Sequence, residues 1–195
     1  MVISGLKSAL QRNKQDIMKQ RDRRQGIVLV NTGEGKGKSS SAFGMVFRAA
    51  GWGMNVCVIQ YIKGKWQTGE QKASERFDNI EWHVLGDGFT WDTKNPEQDI
   101  KTSREIWEFS KQKILSEEYD FVLLDEVNYC CGYHWISGQE IADFISNEKP
   151  PWMHLVLTGR NAAPEVIAVA HTVTEMTKIK HAYAQGIKAT QGVEF

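Results

Sequence analysis

From Gly26 onward the chain alternates between two hydrophobic periods. Short apolar runs rich in β-branched residues occupy positions 27–31, 55–60, 82–85, 121–125, 154–158 and 172–176. Between them, apolar positions recur at helical spacing over 38–50, 97–116, 139–147 and 163–170. Strand and helix signals in strict alternation predict βαβ units and a parallel sheet. The continuous apolar character of the strands predicts burial on both faces. Two segments interrupt the alternation: 61–79, and 86–96 with its Gly, Asp, Thr and aromatic residues. The last stretch, 178–195, has no clear period.

A different pattern precedes this one. Ile3, Leu6, Leu10 and Ile17 form a thin apolar stripe among charged residues, which predicts an amphipathic helix. Such a helix packs on its own domain, or covers a neighbouring subunit or a bound ligand, and the stripe leaves these open. Charge separates the same two regions. The whole chain balances 24 Lys+Arg against 24 Asp+Glu, yet residues 1–25 carry seven basic and two acidic side chains, a net +5, so residues 26–195 carry −5. The expected organisation is a helical arm, 1–25, and one domain, 26–195.

A neutral chain argues against bulk attraction to nucleic acid. With 41% hydrophobic and 25% charged residues it has an ordinary globular composition. No apolar run approaches the ~20 residues that span a bilayer, and the N-terminus has charges where a signal peptide has its apolar stretch, so a cytoplasmic location without membrane attachment is expected. Cys57, Cys130 and Cys131 form no CxxC pair and no metal-binding spacing with the five histidines, which reads as reduced, buried thiols.

The strongest local signal follows the first predicted strand and opens the first predicted helix: Thr32, Gly33, Glu34, Gly35, Lys36, Gly37, Lys38, Ser39 and Ser40. In this context the run reads as a phosphate loop. Three glycines let successive backbone N–H groups face phosphate oxygens, the helix N-terminus adds its positive end, Lys38 adds a full charge, and the Ser39 hydroxyl can hold Mg²⁺, or Mn²⁺. Thr32 stands where the usual spacing has its first glycine, so the loop is tighter than usual. The plainer reading, a glycine-rich turn, accounts less well for an intact Gly-Lys-Ser with a second lysine beside it.

A nucleotide site of this kind also needs an apolar strand ending in an acid for the metal. Phe121, Val122, Leu123, Leu124, Asp125 and Glu126 supply it. Arg160 follows another strand and falls at the same carboxyl edge, where open parallel sheets collect their ligands and where it can pair with phosphate. The fold class expected is therefore α/β: a P-loop, RecA-like, three-layer αβα domain with a mainly parallel sheet, plus the N-terminal helix.

Aromatic residues crowd the same edge. Phe89 and Trp91 lie in the loop after the third strand, Trp66 in an earlier loop, and Tyr129, Tyr133 and Trp135 just beyond Glu126. They bury against the core or against a ligand. ATP needs at most one stacking partner, which leaves room for a large flat second substrate.

Six motifs in order carry a resemblance: Thr-Gly-Glu-Gly-Lys-Gly-Lys-Ser-Ser at 32–40, Val-Ile-Gln-Tyr-Ile-Lys-Gly at 58–64, Gly-Phe-Thr-Trp-Asp-Thr at 88–93, Leu-Leu-Asp-Glu at 123–126, Leu-Thr-Gly-Arg at 157–160, and Lys-His-Ala-Tyr-Ala-Gln-Gly-Ile-Lys-Ala at 180–189. From about residue 26 to the C-terminus the chain resembles the ATP:corrinoid adenosyltransferases of the CobA/CobO/BtuR type, in which the shortened phosphate loop is itself a family feature. The resemblance implies transfer of the 5′-deoxyadenosyl group of ATP to the cobalt(I) of a corrinoid (cobalamin, cobinamide or cobyrinic acid a,c-diamide), with release of triphosphate. Cobalt is then the nucleophile, and no Ser, Cys or His nucleophile is required.

By the same resemblance, Lys38, Arg160, Phe89 and Trp91 are the catalytic residues, residues 32–40 and Arg160 bind ATP, and Ser39, Asp125 and Glu126 hold the metal. Phe89 and Trp91 match aromatics that sit below the corrinoid and exclude its lower axial ligand, which eases reduction of cobalt. The resemblance further implies a homodimer whose N-terminal helix folds over the partner's site, and a flavodoxin-like reductant. Glu34 stands where other members have Asn, and Ser39-Ser40 replace a Thr pair. The competing reading of the loop and Asp125 alone is a phosphotransferase or ATPase that uses no corrinoid.

Overall fold

The computed structural model describes residues 25–62, 67–86 and 96–194. The expected arm, apart from Gln25, therefore lies outside the described residues, as do Phe89, Trp91 and Trp66.

Six strands form one sheet: β1 Val28–Thr32, β2 Val56–Gln60, β3 Ile80–Val84, β4 Phe121–Asp125, β5 His154–Thr158 and β6 Thr172–Glu175. Their spatial order is β3-β2-β4-β5-β1-β6, and every neighbouring pair is parallel. Among the described residues six helices accompany them: α1 Lys38–Gly51, α2 Gly69–Ser74, α3 Pro96–Leu115, α4 Val127–Gly132, α5 Gly138–Asn147 and α6 Pro164–Val169, with a 3₁₀ turn at Ala182–Gln185. The short α2, α4 and 3₁₀ turn fall in stretches with no helical period.

Strand alternation divides the core in two. Val56, Val58, Phe121, Leu123 and Val156 pack with Ala42, Phe43 and Val46 of α1 on one face. Cys57, Ile59, Val122, Leu124, Leu155 and Leu157 pack on the other with Ile106 and Trp107 of α3, Ile141 and Phe144 of α5 and Val166 of α6. The central strands are continuous apolar runs because both faces are covered, which yields the three-layer RecA-like architecture that the sequence predicts.

Two strands depart from the expectation of burial on both faces. Every residue of β3 is half-buried and every residue of β6 is exposed. Both are the sheet's edges, where a strand has one neighbour and one side to cover it. Lys113 of α3 ties β3 down through Glu81, at 2.7 Å.

Local chemistry sets the bounds of several helices. Buried Ala42, Phe43, Val46, Ala49 and Ala50 give α1 a single apolar face, and Gly53 in a left-handed conformation (φ 74°) turns the chain away after it. Ser137 caps α5 by accepting from the Glu140 N–H at 3.0 Å, and Pro164 starts α6.

Candidate functional site

The phosphate loop joins β1 to α1. Gly33 (φ 94°) and Gly37 (φ 106°) both adopt left-handed conformations, and the turn requires glycine there. No acidic residue stands in the first turn of α1, so its positive end is uncompensated, and Gly37 caps it with no side-chain acceptor. Asn31, buried at the end of β1, donates to the Lys38 carbonyl at 3.2 Å and to the Ser41 hydroxyl at 3.0 Å, fastening the helix start to the strand. Beyond β6 the chain passes against the loop. Met176 N–H donates to the Thr32 carbonyl at 2.8 Å, and Gly35 N–H donates to the Met176 carbonyl at 2.6 Å.

Three cations converge here, each on an internal partner. Lys38 is buried and its ammonium donates to the Gly35 carbonyl at 2.5 Å. Burial pushes it below the ordinary lysine value, against the pull of Glu126. Arg160 lies 3.4 Å from the Glu34 carboxylate. Lys36 pairs with Glu194 near the C-terminus. Glu34 is exposed and engaged with Arg160, so in this conformation a cation faces its charge. A polyanion would replace three local acceptors with its own oxygens.

Asp125 and Glu126 differ sharply. Both Asp125 oxygens accept hydrogen bonds: Oδ1 from the Thr158 hydroxyl at 2.7 Å and Oδ2 from the Gln60 amide at 3.0 Å. Glu126 is left-handed (φ 66°), a strained state for a non-glycine residue, and its Oε2 is buried with no hydrogen-bond partner among the described residues. Burial, reinforced by the Asp125 charge, pushes Glu126 up to about 8, although Lys38 and Arg160 pull it down. A Cβ on Gly159 (φ 124°) would stand 3.1 Å from that Oε2, so glycine lets the chain leaving β5 approach so closely.

The structure thus gathers Lys38, Glu126, Arg160, Glu34 and Lys36 into one electrostatic cluster, with Asp125 beside it. Ser39 is half-buried and Ser40 exposed in the first turn of α1. Tyr129 reaches the same field, since burial and Glu126 push its hydroxyl up to about 12. Tyr133 stacks between Tyr129 and Trp135 and stays half exposed. The three thiols are buried and unpaired, and burial raises Cys57 and Cys130 to about 12 and Cys131 to about 11, so none is an activated nucleophile. Among the described residues no group of three or more His, Cys, Asp and Glu could hold a metal by itself, and no helix is long and apolar enough to cross a membrane.

Sequence reasoning passed over Asn31 as a site residue and gave no roles to Gln60 and Thr158. With Asp125 they occupy one row across the carboxyl ends of four strands, all on the α1 face. The signal was present in the alternation: each of these strands places a polar residue where the α1-facing register meets the strand's end.

The family model for ATP:corrinoid adenosyltransferase BtuR/CobO/CobP matches residues 24–195. A corrinoid adenosyltransferase of Sinorhizobium sp is 45% identical over 184 residues, covering 93% of this chain and 86% of that protein. Those of Pseudomonas aeruginosa and Escherichia coli K12 are 44% and 39% identical, covering 92% and 87% of this chain and 88% and 86% of theirs. Among solved structures, EssC (ATPases 2 and 3) from Geobacillus thermodenitrificans is similar at TM-score 0.45 and 13% identity, over 86% of this chain and about a third (35%) of that one, a likeness that bears on neither substrate nor activity. With the phosphate loop, its acidic strand and Arg160 on one sheet edge, and with close relatives over nearly the whole length, the chain belongs to the ATP:corrinoid adenosyltransferase family.

Proposed function

We propose that this protein transfers the 5′-deoxyadenosyl group of ATP to the cobalt(I) of a corrinoid and releases inorganic triphosphate. The observation that carries this reading is the cluster of Lys36, Lys38 and Arg160 around the N-terminus of α1, in a protein whose cysteines are all buried. The cluster suits a departing polyanion, and the reaction asks no nucleophile of the protein. Cobalt(I) donates an electron pair to C5′, the C5′–O bond breaks, and triphosphate leaves with the bonding pair. The chain's task is to hold C5′ in line and stabilise the leaving charge. Lys38 loses nothing by moving from a carbonyl to a phosphate oxygen, and Arg160 can exchange Glu34 for two phosphate oxygens.

A divalent cation fits the residues present. The Oε2 of Glu126 is an acceptor without a donor among the described residues, Asp125 stands beside it, and Ser39 stands in the first turn of α1. These three would hold Mg²⁺, or Mn²⁺, which supplies neutralisation of the leaving triphosphate.

The finer parts of the reading rest on family membership. Residues 26–195 form the catalytic domain, cytoplasmic, with residues 32–40 as its nucleotide cradle. Phe89 and Trp91 lie under the corrinoid and favour four-coordinate cobalt. The arm closes over the site of a partner in a homodimer, and a flavodoxin-like protein supplies the electron. A cob(I)yrinic acid a,c-diamide adenosyltransferase is the type proposed, with cobalamin and cobinamide as further substrates. Product analysis tests the central claim. Anaerobic incubation with MgATP, a corrinoid and a reductant yields triphosphate and a light-sensitive Co–C bond. Formation of ADP and phosphate instead would make the protein a phosphotransferase.

A further inference from the structure

A chain of side-chain hydrogen bonds crosses the carboxyl edge of the sheet and ends on the backbone of Glu126. The Trp82 indole N–H on β3 donates to Gln60 Oε1 on β2 at 2.9 Å. Gln60 Nε2 donates to Asp125 Oδ2 on β4 at 3.0 Å. The Thr158 hydroxyl on β5 donates to Asp125 Oδ1 at 2.7 Å and accepts from the Glu126 N–H at 2.9 Å. Gln60, Asp125 and Thr158 are buried, and the Trp82 ring packs at a tilt against Phe43 of α1 with centroids 5.1 Å apart.

Each link has a direction. A carboxylate accepts only, so Asp125 needs a donor at each oxygen to be held in one plane. Gln60 offers a donor at one end of its amide and an acceptor at the other. Because Trp82 presents only an N–H, it fixes which end faces Asp125: both contacts are donor–acceptor pairs in this orientation and neither is in the flipped one. Thr158 spends its proton on Asp125 and its lone pair on the backbone of Glu126, so one hydroxyl fixes the two acids relative to each other. The network uses one lone pair of each Asp125 oxygen and leaves the other unspent.

We infer that Gln60, fixed in turn by Trp82, is a positioning residue for the cation end of the site, holding Asp125 in the orientation that the metal–triphosphate requires without touching the cation itself. This rests on the reading of Asp125 and Glu126 as cation ligands. A purely structural role predicts a loss of stability when the network is cut. A positioning role predicts weaker cation binding in a protein that is still folded, because outer partners that orient a ligand usually control affinity by about ten- to a hundredfold.

The test uses Mn²⁺ titrated into the full-length protein with ATP and followed by electron paramagnetic resonance, alongside thermal melting. Wild type binds Mn²⁺ in the presence of ATP. Gln60→Leu weakens that binding about tenfold, and the Mg²⁺ concentration for half-maximal adenosylation rises in parallel while the corrinoid KM is unchanged. Trp82→Phe keeps the ring on Phe43 but removes the N–H, and it moves the same two readouts in the same direction by a smaller factor. A folded Gln60→Leu protein with wild-type Mn²⁺ affinity overturns the inference, even if its melting temperature falls. If Gln60→Leu does not fold, unchanged Mn²⁺ affinity in Trp82→Phe overturns it equally. Failure of the wild-type protein to bind Mn²⁺ with ATP removes the reading of the acids as cation ligands, and this inference with it.

Discussion

At the scale of single residues, the acids at the end of β4 show how burial and hydrogen bonding divide the work of two adjacent carboxylates. Asp125 has donors on both oxygens, whereas Glu126 has a buried oxygen with no donor among the described residues. Glu126 holds a proton up to about 8 in the folded state, while an unfolded glutamate releases it near the usual value of about 4.3. The folded state therefore binds more protons across that window. Its contribution to stability is fully present below the unfolded value and is lost as pH rises towards 8. Melting temperatures of the ligand-free protein should fall over this range, and Glu126→Gln should flatten the slope; parallel profiles for the two proteins would refute it. The same proton must leave before a cation binds. Affinity for MgATP should therefore rise between pH 6 and pH 8 in wild type, and calorimetry at several pH values checks this.

At the scale of elements, the phosphate loop is shaped as much by what packs against it as by its own glycines. A Cβ on Gly35 would lie 2.7 Å from the Met176 carbonyl oxygen and 2.8 Å from both the Met176 carbonyl carbon and the Thr177 carbonyl oxygen, all backbone atoms. Gly35→Ala must displace the segment after β6, at a cost of about 1–3 kcal/mol. Lower thermal stability together with weaker ATP binding is the expected pair of outcomes, and a wild-type melt would mean that the C-terminal segment does not rest on the loop. Phe89 and Trp91 fall between β3 and α3 in the sequence, outside the described residues, and are proposed to sit under the corrinoid. Replacing either by alanine should slow adenosylation about tenfold or more when cobalt(II) is reduced on the enzyme, and much less when cobalt(I) is supplied chemically. Equal losses in the two assays would reduce these side chains to packing.

At the scale of the whole molecule, zero net charge conceals +5 on residues 1–25 and −5 on the remainder. The remainder still concentrates Lys36, Lys38 and Arg160 at one edge of the sheet. Beyond α6 the chain turns exposed: β6 is uncovered, and Ile179, Tyr183 and Val193 are each at least 80% exposed. Under the proposed dimer, deleting residues 1–25 should weaken corrinoid binding several-fold and leave ATP binding less affected. Unchanged affinity for both substrates, measured by titration, would leave the arm without a part in the site.

How much of this was legible in the sequence depends on how local each signal is. The bounds of β4 and β5, Phe121–Asp125 and His154–Thr158, coincide with the apolar runs, because strands buried on both faces read as uninterrupted hydrophobic stretches. The phosphate loop was equally plain, since glycines, lysines and a helix start lie within nine residues. The exposure of β3 and β6 was not legible, because a run of apolar and β-branched residues does not state whether it has one neighbour or two. Nor was the short α4, which begins at a left-handed Glu126 that no periodicity announces.

The sequence by itself determined a parallel α/β chain with a phosphate loop, an acidic strand end and an arginine at a shared edge, because each rests on residues adjacent along the backbone. Only the tertiary structure decided which acid keeps a free oxygen, that Gln60, Asp125 and Thr158 form one row, and that a segment some 140 residues downstream closes on the loop. Those facts depend on strand order and register, which bring together side chains that no spacing along the chain relates.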